Sequence, residues 1–85
     1  ALEGDAAWRR AVLDTADGAL ALARKDIVEA DRKLVPAWAA LRARFGARSY
    51  YGDRCLGELV RLAEAKGDTR ALRRYRELLR LRQGG

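Results

Sequence analysis

The sequence predicts an all-α fold, a small bundle of about four helices, and three observations predict it. Ala, Leu and Arg dominate the 85 residues while β-branched residues are scarce, so the composition favours helix throughout. Apolar residues recur at steps of three and four along most of the chain. Proline occurs once, at Pro36, and turn signals gather at a few sites such as Gly46 and Gly67-Asp68.

The first helix is traced by Trp8, Val12, Ala16, Ala19, Leu20, Ala23, Ile27, Ala30 and Leu34, a stripe whose phase survives Asp17-Gly18. It predicts one long helix over residues 5–34. Such a helix would be about 45 Å long, against a globular diameter near 30 Å for a chain of this size. Either a bend at Gly18 or a second copy of the chain covering the overhang would resolve the mismatch. Glu29 and Lys33 stand four apart, in the order that supports a solvent-facing ion pair.

Pro36 is expected to end that helix, because proline disfavours helical backbone at Val35 and suits the first turn of a new one. A short second helix over 36–45 then carries Trp38, Leu41 and Phe45 on one face, with Gly46 stopping it. Both tryptophans read as core anchors. Residues 46–53, "GARSYYGD", read as a loop in which Tyr50 and Tyr51 are adjacent and Asp53 caps the next helix.

The third helix, 54–66, presents Leu56, Leu59, Val60, Leu62 and Ala63, with Cys55 at the edge of that surface. Gly67 ends it and Asp68 opens the fourth, 69–82, completing a C-terminal antiparallel αα-hairpin. In the fourth helix Ala71, Leu72, Tyr75, Leu78 and Leu79 face inward and Arg70, Arg73, Arg76 and Arg80 face out, while the tail "QGG" is expected to fray. The length suits a single domain over residues 1–85, just above the roughly 80 residues at which one core begins to struggle. The absence of Met, position 1 included, leads us to expect a domain taken from a larger protein.

Charge is distributed unevenly. Residues 1–34 carry six Lys/Arg against seven Asp/Glu, and residues 35–85 carry twelve against five, so the basic excess lies in the second half. Acidic partners are favoured by such an imbalance, although arginines on helix faces are also ordinary solvated surface. A DNA-reading helix-turn-helix fits poorly. With Ala63 and Gly67 at its small-residue and turn positions, buried sites would fall on Leu62, Lys66, Asp68, Arg73 and Arg76, four of them charged.

The residue types needed for catalysis are missing. There is no histidine, one serine and one cysteine, so no Ser/His or Cys/His nucleophile can be assembled. Neither zinc-ligand spacing nor a glycine-rich phosphate loop occurs, and the acidic residues are interspersed with basic ones as surface pairs are. We therefore expect no enzyme activity, no cofactor, no metal and no small-molecule substrate. No membrane span or signal peptide is read, and the lone cysteine suits a reducing, cytoplasmic setting.

Leu59, Ala63, Gly67-Asp68, Ala71, Tyr75, Leu78-Leu79 and Leu81 form a pattern over residues 56–82 that resembles a tetratricopeptide-like helical hairpin. "KDIVEADRKL", from Lys25 to Leu34, echoes it through Asp26 and Ala30. That family binds peptide segments in a groove, so the resemblance implies protein recognition. The expected function is a non-catalytic protein-protein interaction, docking or dimerisation module whose partner is another protein or a second copy of the chain. Its contact surface is expected on Arg70, Arg73, Arg76 and Arg80, with Tyr50 and Tyr51 as the aromatic supplement. The alternative is binding to nucleic-acid backbone by the same arginines together with Arg42, Arg44 and Arg48.

Overall fold

The structure, a computed structural model, describes residues 2–46 and 49–84, with side chains placed for 6–46 and 49–80. Four helices follow one another: α1 (Leu2–Ala23), α2 (Ile27–Phe45), α3 (Tyr50–Lys66) and α4 (Thr69–Gly84). No strand occurs among the described residues. The architecture is an all-α bundle built as two successive hairpins, α1–α2 and α3–α4. α3 lies against both α1 and α2, and α4 packs along α3 alone. The result is a plate of 38 × 32 × 15 Å with a radius of gyration of 12.4 Å.

The long first helix is corrected. The chain breaks at residues 24–26, where Lys25 takes the left-handed conformation (φ 63°). The Lys25 N–H donates to Leu22 O (2.9 Å) and the Asp26 N–H to Ala21 O (2.8 Å), the paired bonds of a Schellman motif. Asp26 then caps α2 by accepting from the Glu29 N–H (3.2 Å). Neither a bend at Gly18 nor a second copy is needed to cure an overhang. Gly18 has a different reason to be glycine: a Cβ there would stand 2.5 Å from Leu34 Cγ and Cδ2, so its absence lets α1 and α2 approach closely.

Proline does not end a helix either. Pro36 lies inside α2, and its ring faces solvent. Its missing N–H costs one helical hydrogen bond at an exposed site, while Leu34, Ala37 and Leu41 on the opposite side are buried and hold the helix together. The expected loop over 46–53 shortens in the same way. Ser49, not Asp53, caps α3, its hydroxyl accepting from the Gly52 N–H at 2.8 Å. Gly46 closes α2 with φ 83°, and α4 extends to Gly84, past the expected end at residue 82.

The core is made by three helices. Leu34, Leu41, Leu56, Leu59 and Cys55 are its largest fully buried side chains, set among Ala11, Ala21, Ala30 and Ala37. Burying a leucine stabilises by about 2 kcal/mol, and small residues let helix backbones come near enough for those leucines to interlock. In α1 the buried face is therefore the small one, Ala11, Thr15 and Gly18. The expected stripe is rotated: Ala16 and Leu20 are exposed, Val12 and Ala19 only half-buried. Thr15 settles its hydroxyl by donating to Ala11 O at 2.8 Å. The expected Glu29–Lys33 pair is replaced by Glu29 with Arg32 (2.8 Å), and Lys33 reaches across to Asp14 on α1 (3.6 Å).

No described α4 side chain is buried. Ala71, Leu72, Tyr75, Leu78 and Leu79 are half-covered by α3, as an amphipathic helix laid on one neighbour would be. α4 does not close onto α1. It approaches α2 only through side chains around a cavity of about 60 Å³ bordered by Asp31, Val35, Lys66 and Tyr75. Lys66 donates to Asp31 across that opening (2.9 Å), and this bond holds the ammonium above its ordinary pKa.

Candidate interaction surfaces

The surface expected from the sequence separates into two. Arg70, Arg73, Arg76 and Arg80 all stand exposed on α4, as expected. Arg76 pairs with Glu64 on α3 (3.2 Å) and Arg80 with Glu77 (3.6 Å). Both pairs are open to solvent and stabilise by under about 1 kcal/mol. Arg70, Arg73 and Arg74 have no acidic partner among the described residues, and the helix over 69–84 carries six arginines against one glutamate. Arg70, Arg73 and Arg74 flank one open trough with Thr69 and Glu77. Of the further basic residues, Arg42 lies over the Trp38 ring at 5.9 Å and Arg44 over Phe45 at 5.2 Å. Both belong to α2, and Arg48 lies outside the described residues.

The tyrosines sit elsewhere, in the first turn of α3. Tyr51 packs on Trp8 (5.7 Å between centroids) and Phe45 (5.8 Å), which themselves meet edge to face at 5.3 Å. This cluster ties α1 to the end of α2 and the first turn of α3, so Tyr51 is in part structural. Tyr50 is 66 % exposed, touches Tyr51 edge-on at 5.5 Å and accepts a long hydrogen bond from Arg54 through its hydroxyl (3.3 Å).

Beside the tyrosines opens a groove that the sequence did not reveal. It lies between α1 and α3, encloses about 160 Å³, and is walled by Val12, Ala16 and Ala19 on one side and Tyr50, Tyr51, Arg54 and Glu58 on the other, over Thr15. Leu13 (62 % exposed) and Leu20 (61 % exposed) also stand on α1, outside the groove lining. Glu58 is the unusual member. Its Oε2 lies 3.6 Å from Arg61, while its Oε1 is buried and has no hydrogen-bond partner. A buried carboxylate oxygen without a donor is costly to keep enclosed.

Cys55 lies in the core rather than at its edge. Its Sγ–H is directed to Leu34 O at 3.6 Å, and burial pushes the thiol from the ordinary 9.0 up to about 11. Such a thiol is protonated and enclosed at neutral pH, which opposes reactivity. Among the described residues no cluster of acidic, Cys or His side chains is placed to hold a metal, and no helix is long and apolar enough to cross a membrane. Comparison with protein-family models, with curated proteins and with solved structures returns no match, so the functional reading rests on the chain's own geometry.

Proposed function

We propose that this chain is a non-catalytic protein-interaction module whose α1–α3 face receives a segment of a partner protein. The observation that carries it is the preformed groove itself, in which an apolar wall of Val12, Ala16 and Ala19 faces Tyr50, a ring left 66 % exposed. Exposed apolar side chains gathered in one place mark docking surfaces more often than scattered ones do. Tyrosine adds a broad ring with a polar tip, a combination common at binding hot spots. The resemblance of residues 56–82 to a tetratricopeptide-like hairpin is in keeping with this reading.

A second copy of the chain is a less suitable guest. If two α1 helices met antiparallel through Leu13 and Leu20, Arg9 of each would oppose Arg24 of the other, placing like charges together. Selection of the full chain against a displayed random-peptide library tests the proposal. Enriched peptides should lose binding to Ala19→Glu and Ala16→Glu and keep it with Arg73→Glu. Enrichment indifferent to the α1 changes would refute the groove as the docking face.

One observation favours a second reading, binding to nucleic-acid backbone: Arg70, Arg73 and Arg74 stand on one face with no acidic partner among the described residues. Fluorescent oligonucleotides titrated at several salt concentrations separate the two readings. Backbone binding would weaken steeply as salt rises and would show little sequence preference.

A further inference from the structure

The geometry points to a more specific guest: the α1–α3 groove takes the long aliphatic, positively charged side chain of a partner polypeptide, a lysine or arginine, with its charge against Glu58. This inference rests on the reading of that groove as the docking face. Size sets the first condition, because about 160 Å³ is well below the roughly 300 Å³ at which drug-sized ligand pockets begin and accommodates a single side chain. The lining sets the second. Val12, Ala16 and Ala19 offer an apolar wall for methylene groups, as the stem of a lysine or arginine requires.

Charge sets the third condition. Glu58 Oε1 is buried without a donor, and Arg61 stands 3.6 Å from the other oxygen only. Arg54, placed four residues before Glu58, donates to the Tyr50 hydroxyl instead. An incoming ammonium or guanidinium would turn the partly exposed Glu58 side chain toward the groove, give the enclosed Oε1 the donor it lacks and meet the rings of Tyr50 and Tyr51, which attract cations. The chain as a whole carries +6, so a general attraction of cations to its surface cannot produce this preference.

The test titrates the full chain with n-butylammonium as the lysine mimic, n-pentanol as its neutral counterpart and valerate as the anionic one, following backbone and side-chain NMR shifts of Val12, Ala16, Ala19, Tyr51 and Glu58. Saturable shifts are expected, with n-butylammonium at least fivefold tighter than n-pentanol and valerate weaker than both. Glu58→Gln should bring n-butylammonium to parity with n-pentanol while leaving n-pentanol unchanged. Ala16→Leu, a change at an exposed helical position, should block every probe with Glu58 intact, which keeps the test informative if Glu58→Gln perturbs folding. Parity of the ammonium and the alcohol in the unaltered chain would overturn the charge recognition and leave the groove standing. Tighter binding of valerate would overturn it in favour of Arg54, and shifts from no probe would remove the docking face itself.

Discussion

The two hairpins turn by the same device and are held together by different means. In the first, Lys25 N–H bonds to Leu22 O and Asp26 N–H to Ala21 O; in the second, Gly67 N–H bonds to Glu64 O and Asp68 N–H to Ala63 O. Asp26 caps α2 through the Glu29 N–H at 3.2 Å, and Asp68 caps α4 through the Ala71 N–H at 3.1 Å. Beyond the turns the likeness ends. Helices α1 and α2 close on Gly18, Ala21, Ala30 and Leu34, all buried, whereas α4 shows α3 a stripe that stays half-exposed. A shared turn thus fixes chain reversal, and the residues facing each other across it decide how tightly the hairpin shuts.

Leu34→Ala should break the tight hairpin most severely, lowering stability by about 2–5 kcal/mol in chemical denaturation, while Leu79→Ala on the half-exposed α4 should cost less than half as much. Hydrogen exchange on the same proteins should show α4 amides opening before those of α1–α3. An equal loss for the two substitutions would show that α4 is as integral as the core helices.

Gly18→Ala should cost about 1–3 kcal/mol through overpacking against Leu34, outweighing its gain of about 1 kcal/mol in helix propensity. Gly57→Ala is the control. Nothing lies within 4 Å of its added Cβ, so propensity alone should act and raise the thermal midpoint.

Cys55 supplies a pH-dependent counterpart within the core. Its thiol is raised from 9.0 to about 11 by burial, so the unfolded chain releases that proton first. The stabilising contribution is therefore complete below pH 9 and is lost as pH climbs through about 11. Cys55→Ala should flatten the fall in stability across this window, on the order of 2 kcal/mol, in denaturation curves taken at stepped pH. An unchanged slope would mean that the thiol does not contribute.

The turns give the smallest and sharpest comparison. Lys25 occupies a left-handed position that costs a side-chain-bearing residue about 1 kcal/mol, so Lys25→Gly should stabilise by up to that amount and Gly67→Ala should destabilise by a similar one. Both effects are read as opposite shifts of the urea midpoint with an unchanged slope.

The same pair of turns explains how much was legible in the sequence. Gly67-Asp68 announces a helix stop and a cap, so the second hairpin and the all-α class were readable. Lys25-Asp26 carries no glycine, and Ala23, Ile27 and Ala30 keep helical spacing straight across the break, so the first turn was hidden. Pro36 misled in the opposite direction, since a proline on the solvent side of a well-anchored helix is tolerated. Large apolar residues drew the expected core stripe of α1 toward Leu20, although close approach to α2 rewards the small face instead. The arginine face was readable because outward charges need no partner. The groove was not, because it depends on where α3 settles beside α1, and only that contact sets Glu58 beside Val12 and Ala16.

A body 15 Å thick has almost no depth. Whatever settles between α1 and α3 rests on Thr15, whose hydroxyl adjoins the Cys55 sulfur, so occupancy at the outside is one side chain away from the molecule's centre. The rate at which a thiol reagent gains access to that sulfur becomes an internal gauge, slowing when a guest braces the two helices and quickening when one pries them apart.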